Sequence, residues 1–234
     1  MRISRNNTLK IHYILDQLIP PILRDSSLFM YFPLKVLFGE KTSEFMEFKQ
    51  NAKKMSRDDY KQIYERVSDV MIERETDLND ECLHKILEDL KGEKILDVGC
   101  GRGYLAGKIS SRYIVSGLDM IIPAEVKEKY PQVNFVEGFV EKMPFPDNHF
   151  DTVICTHTLE HVQDIQGALT ELRRICKERL IIVVPKQRPY KYTFDLHLHF
   201  FPYEHSLVNV VGSKKGGNCL TLGGDLYYSE DSES

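Results

Sequence analysis

Tryptophan is absent, and none of the five cysteines stands in a CxxC pair. Cys82, Cys100, Cys155, Cys176 and Cys219 are widely spaced and odd in number. That argues against a disulfide framework and predicts reduced thiols in a cytoplasmic setting. No apolar run approaches the roughly 18 residues that a bilayer-spanning helix needs. The opening stretch MRISRNNTLKIHYILDQLIPP has no unbroken apolar segment and no small-residue cleavage site, so a secretory signal is not expected. The formal charge of -4 gives no general attraction to polyphosphate, and nucleic acid is not an expected partner. No internal repeat is visible.

What is present is a chain of 234 residues, long enough to bury a sizeable core unaided. Its first part reads as helical. Leu9, Tyr13, Ile14 and Leu18 recur at helical spacing ahead of Pro20-Pro21. A dense apolar stretch, Leu28 to Phe38, follows and contains Pro33. Its simplest reading is a buried segment packed on the main domain. A lid over an apolar acceptor, a dimer face and a peripheral membrane contact remain open. Phe45, Phe48, Ala52 and Met55 form a second short pattern. Ser56 is placed to cap a third helix, in which Tyr60, Ile63, Tyr64, Val67 and Met71 share a face. Leu83, Ile86, Leu87 and Leu90 mark a fourth, with Gly92 where a left-handed cap is favoured.

After Lys94 the periodicity changes. Short β-branched runs at 94–97, 113–118, 133–136, 150–155 and 180–184 alternate with helical patterns such as Tyr104 to Ser111 and Ile165 to Cys176. That alternation predicts crossover connections and a doubly wound, mostly parallel α/β sheet. The expected organisation is a helical extension over 1–91, a sheet domain over 92–228, and a disordered acidic tail over 229–234.

The segment Lys94-Ile-Leu-Asp-Val-Gly-Cys-Gly-Arg-Gly-Tyr-Leu-Ala106 runs from a strand through three glycines into a helix. Glycines permit a sharp turn and close approach of a ligand, and the helix start presents backbone N–H groups. A dinucleotide G-x-G-x-x-G pattern would need glycine at Tyr104; the spacing is instead G-x-G-x-G, led by Asp97. Asp119 closes the next strand, where an acid can hold ribose hydroxyls of either NAD or S-adenosyl-L-methionine. Together these features predict a nucleoside-type cofactor.

Gly138, Glu141, Met143-Pro-Phe145, Phe150-Asp151 and Leu159-Glu-His-Val162 complete a pattern that resembles the small-molecule class I S-adenosylmethionine-dependent methyltransferases, which include ubiquinone-pathway and glycan-tailoring enzymes. The resemblance covers about 92 to 205 and implies a seven-stranded Rossmann-like sheet. It implies S-adenosyl-L-methionine as cofactor, its methionine end near Asp97, Gly99, Cys100, Gly101 and Gly103. Asp119 and Met120 would meet ribose and adenine, Phe139 and Val140 would line the adenine pocket, and Thr156 with His157 would lie beside the methyl. The family often carries an aspartate where Phe139 stands, so adenine recognition here would rest on the Val140 N–H and stacking. Leu159 to Val162 is expected to form the family's short helix.

His157-Thr-Leu-Glu-His161 spells the H-x-x-E-H of inverted zinc peptidases, but it directly follows a strand within the methyltransferase pattern, and no metal is expected. Beyond the fifth strand, Asp195, His197 and His199 would share a face if extended. His161 and His199 are the candidate bases for the methyl acceptor, with His197 and Asp195 as alternatives. The N-terminal apolar patch resembles additions on enzymes that decorate bacterial surface polysaccharides. A glycan hydroxyl or a phosphate-like substituent is therefore the first acceptor, and a lipid or quinone precursor the second. A catalytically inactive cofactor-binding regulator and an oxidoreductase are the rival functions. Oligomeric state is not legible.

Overall fold

The computed structural model describes residues 13–14, 18–68, 70, 74–212, 214 and 216–232. Two compact units divide the chain: Met1–Arg74 with Gln187–Phe200, and Glu75–Lys186 with Phe201–Ser234. The boundary expected near residue 91 is therefore displaced. The helix Asp80–Asp89 joins the sheet unit because Cys82, Leu83 and Ile86 share one core with Ile95, Val115 and Ile181.

The first unit holds α1 (Pro21–Arg24), α2 (Ser27–Phe38), α3 (Thr42–Asn51) and α4 (Arg57–Val67). Ser26 caps α2 by accepting from the Phe29 N–H, and Gly39 at φ 56° ends it. Met30, Leu34 and Phe38, four residues apart, form its buried stripe, and Phe38 stacks on Phe45 at 3.7 Å. The expectation that the whole 28–38 segment is buried fails: a helix apolar all round has two faces, and only one finds a partner. Ser56 caps α4, as expected, and does so in a reciprocal box with Asp59. Leu9, in the first expected helix, and Met71 lie outside the described residues.

The 187–200 segment of this unit forms neither helix nor strand. Leu196 sits at φ 56°, which breaks the alternation that would have put Asp195, His197 and His199 on one face. Its side chains are held locally instead. His197 Nδ1 lies 2.6 Å from Gln187 Oε1, and the Arg24 guanidinium stands 4.7 Å from the Tyr190 ring centre.

The second unit opens with α5 (Asp80–Asp89), capped by Asn79, whose Oδ1 accepts from the Cys82 N–H at 2.8 Å. Then follow β1 (Lys94–Val98), α6 (Tyr104–Ile109), β2 (Ile114–Asp119), α7 (Ala124–Lys129), β3 (Asn134–Glu137), β4 (Phe150–Thr156), α8 (Ile165–Ile175), β5 (Cys176–Pro185), α9 (Glu204–Val211), β6 (Asn218–Leu222) and β7 (Asp225–Asp231). The seven strands lie in the order β3-β2-β1-β4-β5-β7-β6, parallel except for β7. The doubly wound sheet expected from the alternation is thus observed.

Alternate residues feed opposite layers, as strand geometry requires. Leu96, Val98, Val153 and Ile182 face one core with Leu169 and Leu172 of α8, while Ile95, Ile154 and Ile181 face the other with Ile86 and Leu105. Each such fully buried aliphatic side chain contributes about 1.5–3 kcal/mol.

Two expectations give way here. Gly92 does not cap α5, which ends at Asp89; at φ 67° it sits where an added Cβ would fall 2.2 Å from Asp151 Cβ. Asp151 needs that space because its Oδ2 accepts from the Glu93 and Lys94 N–H groups at 2.9 and 3.0 Å. Those bonds, with Lys177, hold its carboxyl down to about 2. Nor is 229–234 a disordered tail as far as it is described. Ser229, Glu230 and Asp231 pair with Ile181, Leu180 and Arg179, and Glu230 is buried against Arg173 at 2.6 Å. Glu233 and Ser234 lie outside the described residues.

Candidate functional site

Sheet order reverses between β1 and β4, and ligands of open α/β folds sit at the carboxyl ends of strands beside that switch. The glycine turn leaves β1 there. Gly99, Gly101 and Gly103 all take positive φ, at 69°, 49° and 71°. Gly99 is additionally required by packing: an added Cβ would fall 1.9 Å from Thr158 Oγ1, which itself donates to the Thr156 and Val98 carbonyls. The turn after β4 is therefore pressed against the turn after β1. Open space surrounds Gly101, with nothing within 4 Å of an added Cβ.

The turn's amides are largely engaged within the protein. Gly99 and Cys100 N–H donate to the Leu118 carbonyl at 2.7 and 3.1 Å, Gly103 N–H donates to Cys100, and Gly101 N–H donates to Asp119 Oδ2 at 2.8 Å. These bonds fix the turn.

Asp97 is the side chain that stands out. It is buried at the end of β1; Oδ2 accepts from the Ala106 N–H at 3.1 Å, while Oδ1 is buried with no hydrogen-bond partner. Burial pushes its carboxyl up to about 7. An unpaired buried carboxylate oxygen is costly and rare in native proteins; among the described residues Glu160 Oε2, beside His157, is in the same state. Asp119 closes β2, half-buried. Besides Gly101, it accepts from the Ile121 N–H at 3.3 Å, and burial raises its carboxyl as well. Its two oxygens retain acceptor capacity beyond those bonds.

Gly138 N–H donates to the Asp119 carbonyl at 2.9 Å, which places the Phe139–Lys142 turn next to the end of β2. Phe139 is half-buried there, Val140 is buried, and Met120 is half-buried. The Met143-Pro-Phe145 segment is tethered to α8: Glu171 accepts from the Met143 N–H at 2.8 Å, and Arg174 donates to the Met143 and Phe145 carbonyls. Burial drives the Cys100 thiol far up, which leaves it a packing residue. Asp97, the glycines, Cys100, Asp119, Met120, Phe139 and Val140 thus surround the ends of β1 to β3.

Thr156 and His157 follow at the end of β4. His157 sits at φ 50°, its N–H bonded to the Val183 carbonyl at 2.8 Å. Its ring is held between two buried carboxylates, with Glu160 Oε1 3.6 Å from Nδ1 and Asp225 Oδ2 3.3 Å from Nε2. Burial alone would lower this imidazole, but Asp225 and Glu160 outweigh it and raise it to about 10. Asp225 in turn accepts from Asn79 Nδ2 at 2.7 Å. This network of Asn79, Asp225, His157 and Glu160 was not foreseen, since its members come from distant stretches. The short helix expected over Leu159 to Val162 is a turn, closed by His161 N–H to the Thr158 carbonyl at 2.9 Å. His161 is half-buried in that turn, whereas His199 belongs to the other unit.

Residues 96–184 match the family described as "Methyltransferase domain". A demethylmenaquinone methyltransferase of Chlorobaculum tepidum is 36% identical over 97 residues, 40% of this chain and 40% of that protein. A sterol 24-C-methyltransferase of Gibberella zeae is 38% identical over 96 residues, 37% of this chain and 25% of that protein. The match thus spans well under half the length of either relative. A SAM-dependent methyltransferase from Thermotoga maritima superposes with a TM-score of 0.53 at 18% identity, covering 65% of this chain and 88% of that one. At that identity the likeness concerns the fold. No helix among the described residues is long and apolar enough to cross a membrane.

Proposed function

We propose, on the premise that this chain carries a class I methyltransferase domain of the family matched over 96–184, that the protein uses S-adenosyl-L-methionine to methylate a small molecule. The observation that carries the reading is the buried, partnerless Asp97 Oδ1 at the exit of β1. A carboxylate oxygen in that state calls for a cationic or strongly donating group, and the α-ammonium of the cofactor is one. Asp119 would accept from the ribose hydroxyls, with its orientation fixed by the Gly101 and Ile121 N–H groups. Met120, Phe139 and Val140 would flank the adenine. No carboxylate stands at 139 to receive its amino group, so that end would be held by packing and main-chain contacts.

When bound, the cofactor supplies an electrophilic sulfonium methyl. The chain's part is then to align the acceptor, hold the cofactor by its two ends and exclude water. The tight seat of Thr158 on Gly99 gives the β4 turn one fixed position relative to the cofactor cradle. His161 lies on that turn and is the proposed proton acceptor if the nucleophile is protic. Thr156 and the main chain of His157 would border the methyl.

Of the acceptors considered, an apolar small molecule of the lipid or quinone-precursor kind is favoured over a surface-glycan hydroxyl. The support is the named activities of the quinone and sterol methyltransferases among the relatives. Calorimetry with S-adenosylhomocysteine tests the cofactor assignment. Labelled methyl transfer into separate lipid-extract and glycan-precursor pools tests the acceptor. Binding with label in the lipid pool supports the reading; no heat of binding and no label in either pool would overturn it.

A further inference from the structure

We propose that Glu160, a buried carboxylate in the turn after β4, makes the site favour the positively charged methyl donor over its neutral product. The inference rests on the cofactor reading above and concerns which form of that ligand the site prefers. Glu160 is 1% exposed, and its Oε2 has no hydrogen-bond partner. Its Oε1 stands 3.6 Å from His157 Nδ1, while Asp225 Oδ2 stands 3.3 Å from Nε2 of the same ring. Two carboxylates thus share one imidazolium, and the charge of Glu160 is only partly offset.

That charge acts on the cofactor cradle. Cys155 of β4 pairs with Val98, one residue past Asp97. Burial first, then Glu160 and Asp97, push its thiol up, so both carboxylates bear on the exit of β1. Cys100 is raised likewise by burial, Asp97 and Asp119. His157 is the cation held among these groups; Arg102 of the glycine turn is exposed, where water screens it. His161 Nε2 lies 4.0 Å from Glu160 Oε1 and is neutral in its proposed role as proton acceptor. A negative field in a poorly hydrated place favours a cation, and the methyl donor brings a sulfonium. When the acceptor's electron pair takes the methyl carbon, the C–S pair returns to sulfur and that charge is gone. The preference then lapses and eases release of the product. It costs some rate, because the transition state has already lost part of the charge.

The test is calorimetry of the full chain at about pH 8, where Asp97 is ionised. The ligands are S-adenosylmethionine, S-adenosylhomocysteine and sinefungin, which bears an ammonium in place of the sulfonium. The quantity read is the ratio of affinities within one protein, so general damage to the fold cancels. The native chain should bind both cations about fivefold or more tightly than S-adenosylhomocysteine. Glu160→Gln keeps the shape and removes the charge, and it should lower both ratios about threefold or more. Native affinity for S-adenosylhomocysteine equal to or above that for the cations would overturn the inference, whether or not the variant folds. So would ratios unchanged in Glu160→Gln. In both cases the heat of S-adenosylhomocysteine binding leaves the cofactor reading standing, whereas no heat with any of the three ligands would overturn both.

Discussion

Asp97→Asn separates the cost of the candidate site from its use. The native carboxyl ionises near 7 instead of 3.8 because burial disfavours its charge, a penalty on the order of 4 kcal/mol on the ionised form. The direction fixes the pH window. A carboxyl raised in the folded state keeps, between about pH 4 and pH 7, a proton that the unfolded chain has released, so through this group stability falls as pH rises across that range. Above about pH 7 both states are ionised and the whole penalty remains. Asparagine retains the shape and an oxygen for the Ala106 N–H but cannot titrate. The unliganded variant should therefore exceed the native chain in stability at about pH 8, by about 2–4 kcal/mol, and the two should converge near pH 4. Ligand binding should respond in the opposite sense. An ammonium placed against Asp97 favours its ionised form and lowers its pKa, so native affinity for S-adenosylhomocysteine should rise about tenfold from about pH 6 to pH 8, and binding near pH 7 should release about half a proton. Urea titration reads the stability, and calorimetry in two buffers of different ionisation enthalpy reads the proton. Asp119 adds to the upward shift of Asp97, so the difference between the two proteins reports Asp97 together with its coupling to Asp119. Equal proton release by native and variant proteins, or affinity that strengthens toward acid, would refute the assignment.

Three further outcomes follow from the same geometry. Gly99→Ala would combine a φ of 69° with a contact of 1.9 Å to Thr158 Oγ1; it should destabilise by about 2 kcal/mol or more and abolish S-adenosylhomocysteine binding, both visible in thermal melts with and without ligand. Asp119→Ala removes the acceptor of the Gly101 and Ile121 N–H groups. Cofactor affinity should drop by about tenfold or more with the fold retained, and unchanged affinity by calorimetry would contradict the ribose role. His157→Gln leaves Glu160 and Asp225 buried without their cation, and urea unfolding near pH 7 should show a loss of about 3–5 kcal/mol, partly restored by adding Glu160→Gln. Because the imidazole is raised to about 10, its contribution is complete below the ordinary value near 6.5 and lost as pH rises through about 10. The native chain should therefore weaken over that span, and the variant should not.

The local chemistry at the end of β1 was readable from the chain alone. A β-branched run entering G-x-G-x-G with Asp97 ahead and Asp119 behind can form few things besides a strand, a left-handed turn and a helix, because only glycine adopts those φ values cheaply. The parallel sheet was readable for the same reason: runs apolar at successive positions must be covered on both faces. The β6–β7 hairpin was missed although its signal was present, two apolar runs joined by Gly223-Gly224, both at positive φ.

What tertiary structure alone decided depends on partners far away in sequence. His157 reads as a site residue from its motif, yet its ring is claimed by Glu160 and by Asp225 on β7, which Asn79 helps to hold. The Gly99 and Gly101 amides are engaged by Leu118 and Asp119 on the neighbouring strand, pairings that no local pattern shows. The 187–200 segment looks extended and is bent by a left-handed Leu196. In α2 local patterning specifies an apolar helix but not its buried side, because both faces are apolar and only packing in the folded unit, such as Phe38 on Phe45, sends Met30, Leu34 and Phe38 to the interior. Periodicity and backbone sterics act within a few residues and so are written locally; burial and ion pairing are settled between residues that only the folded chain brings together.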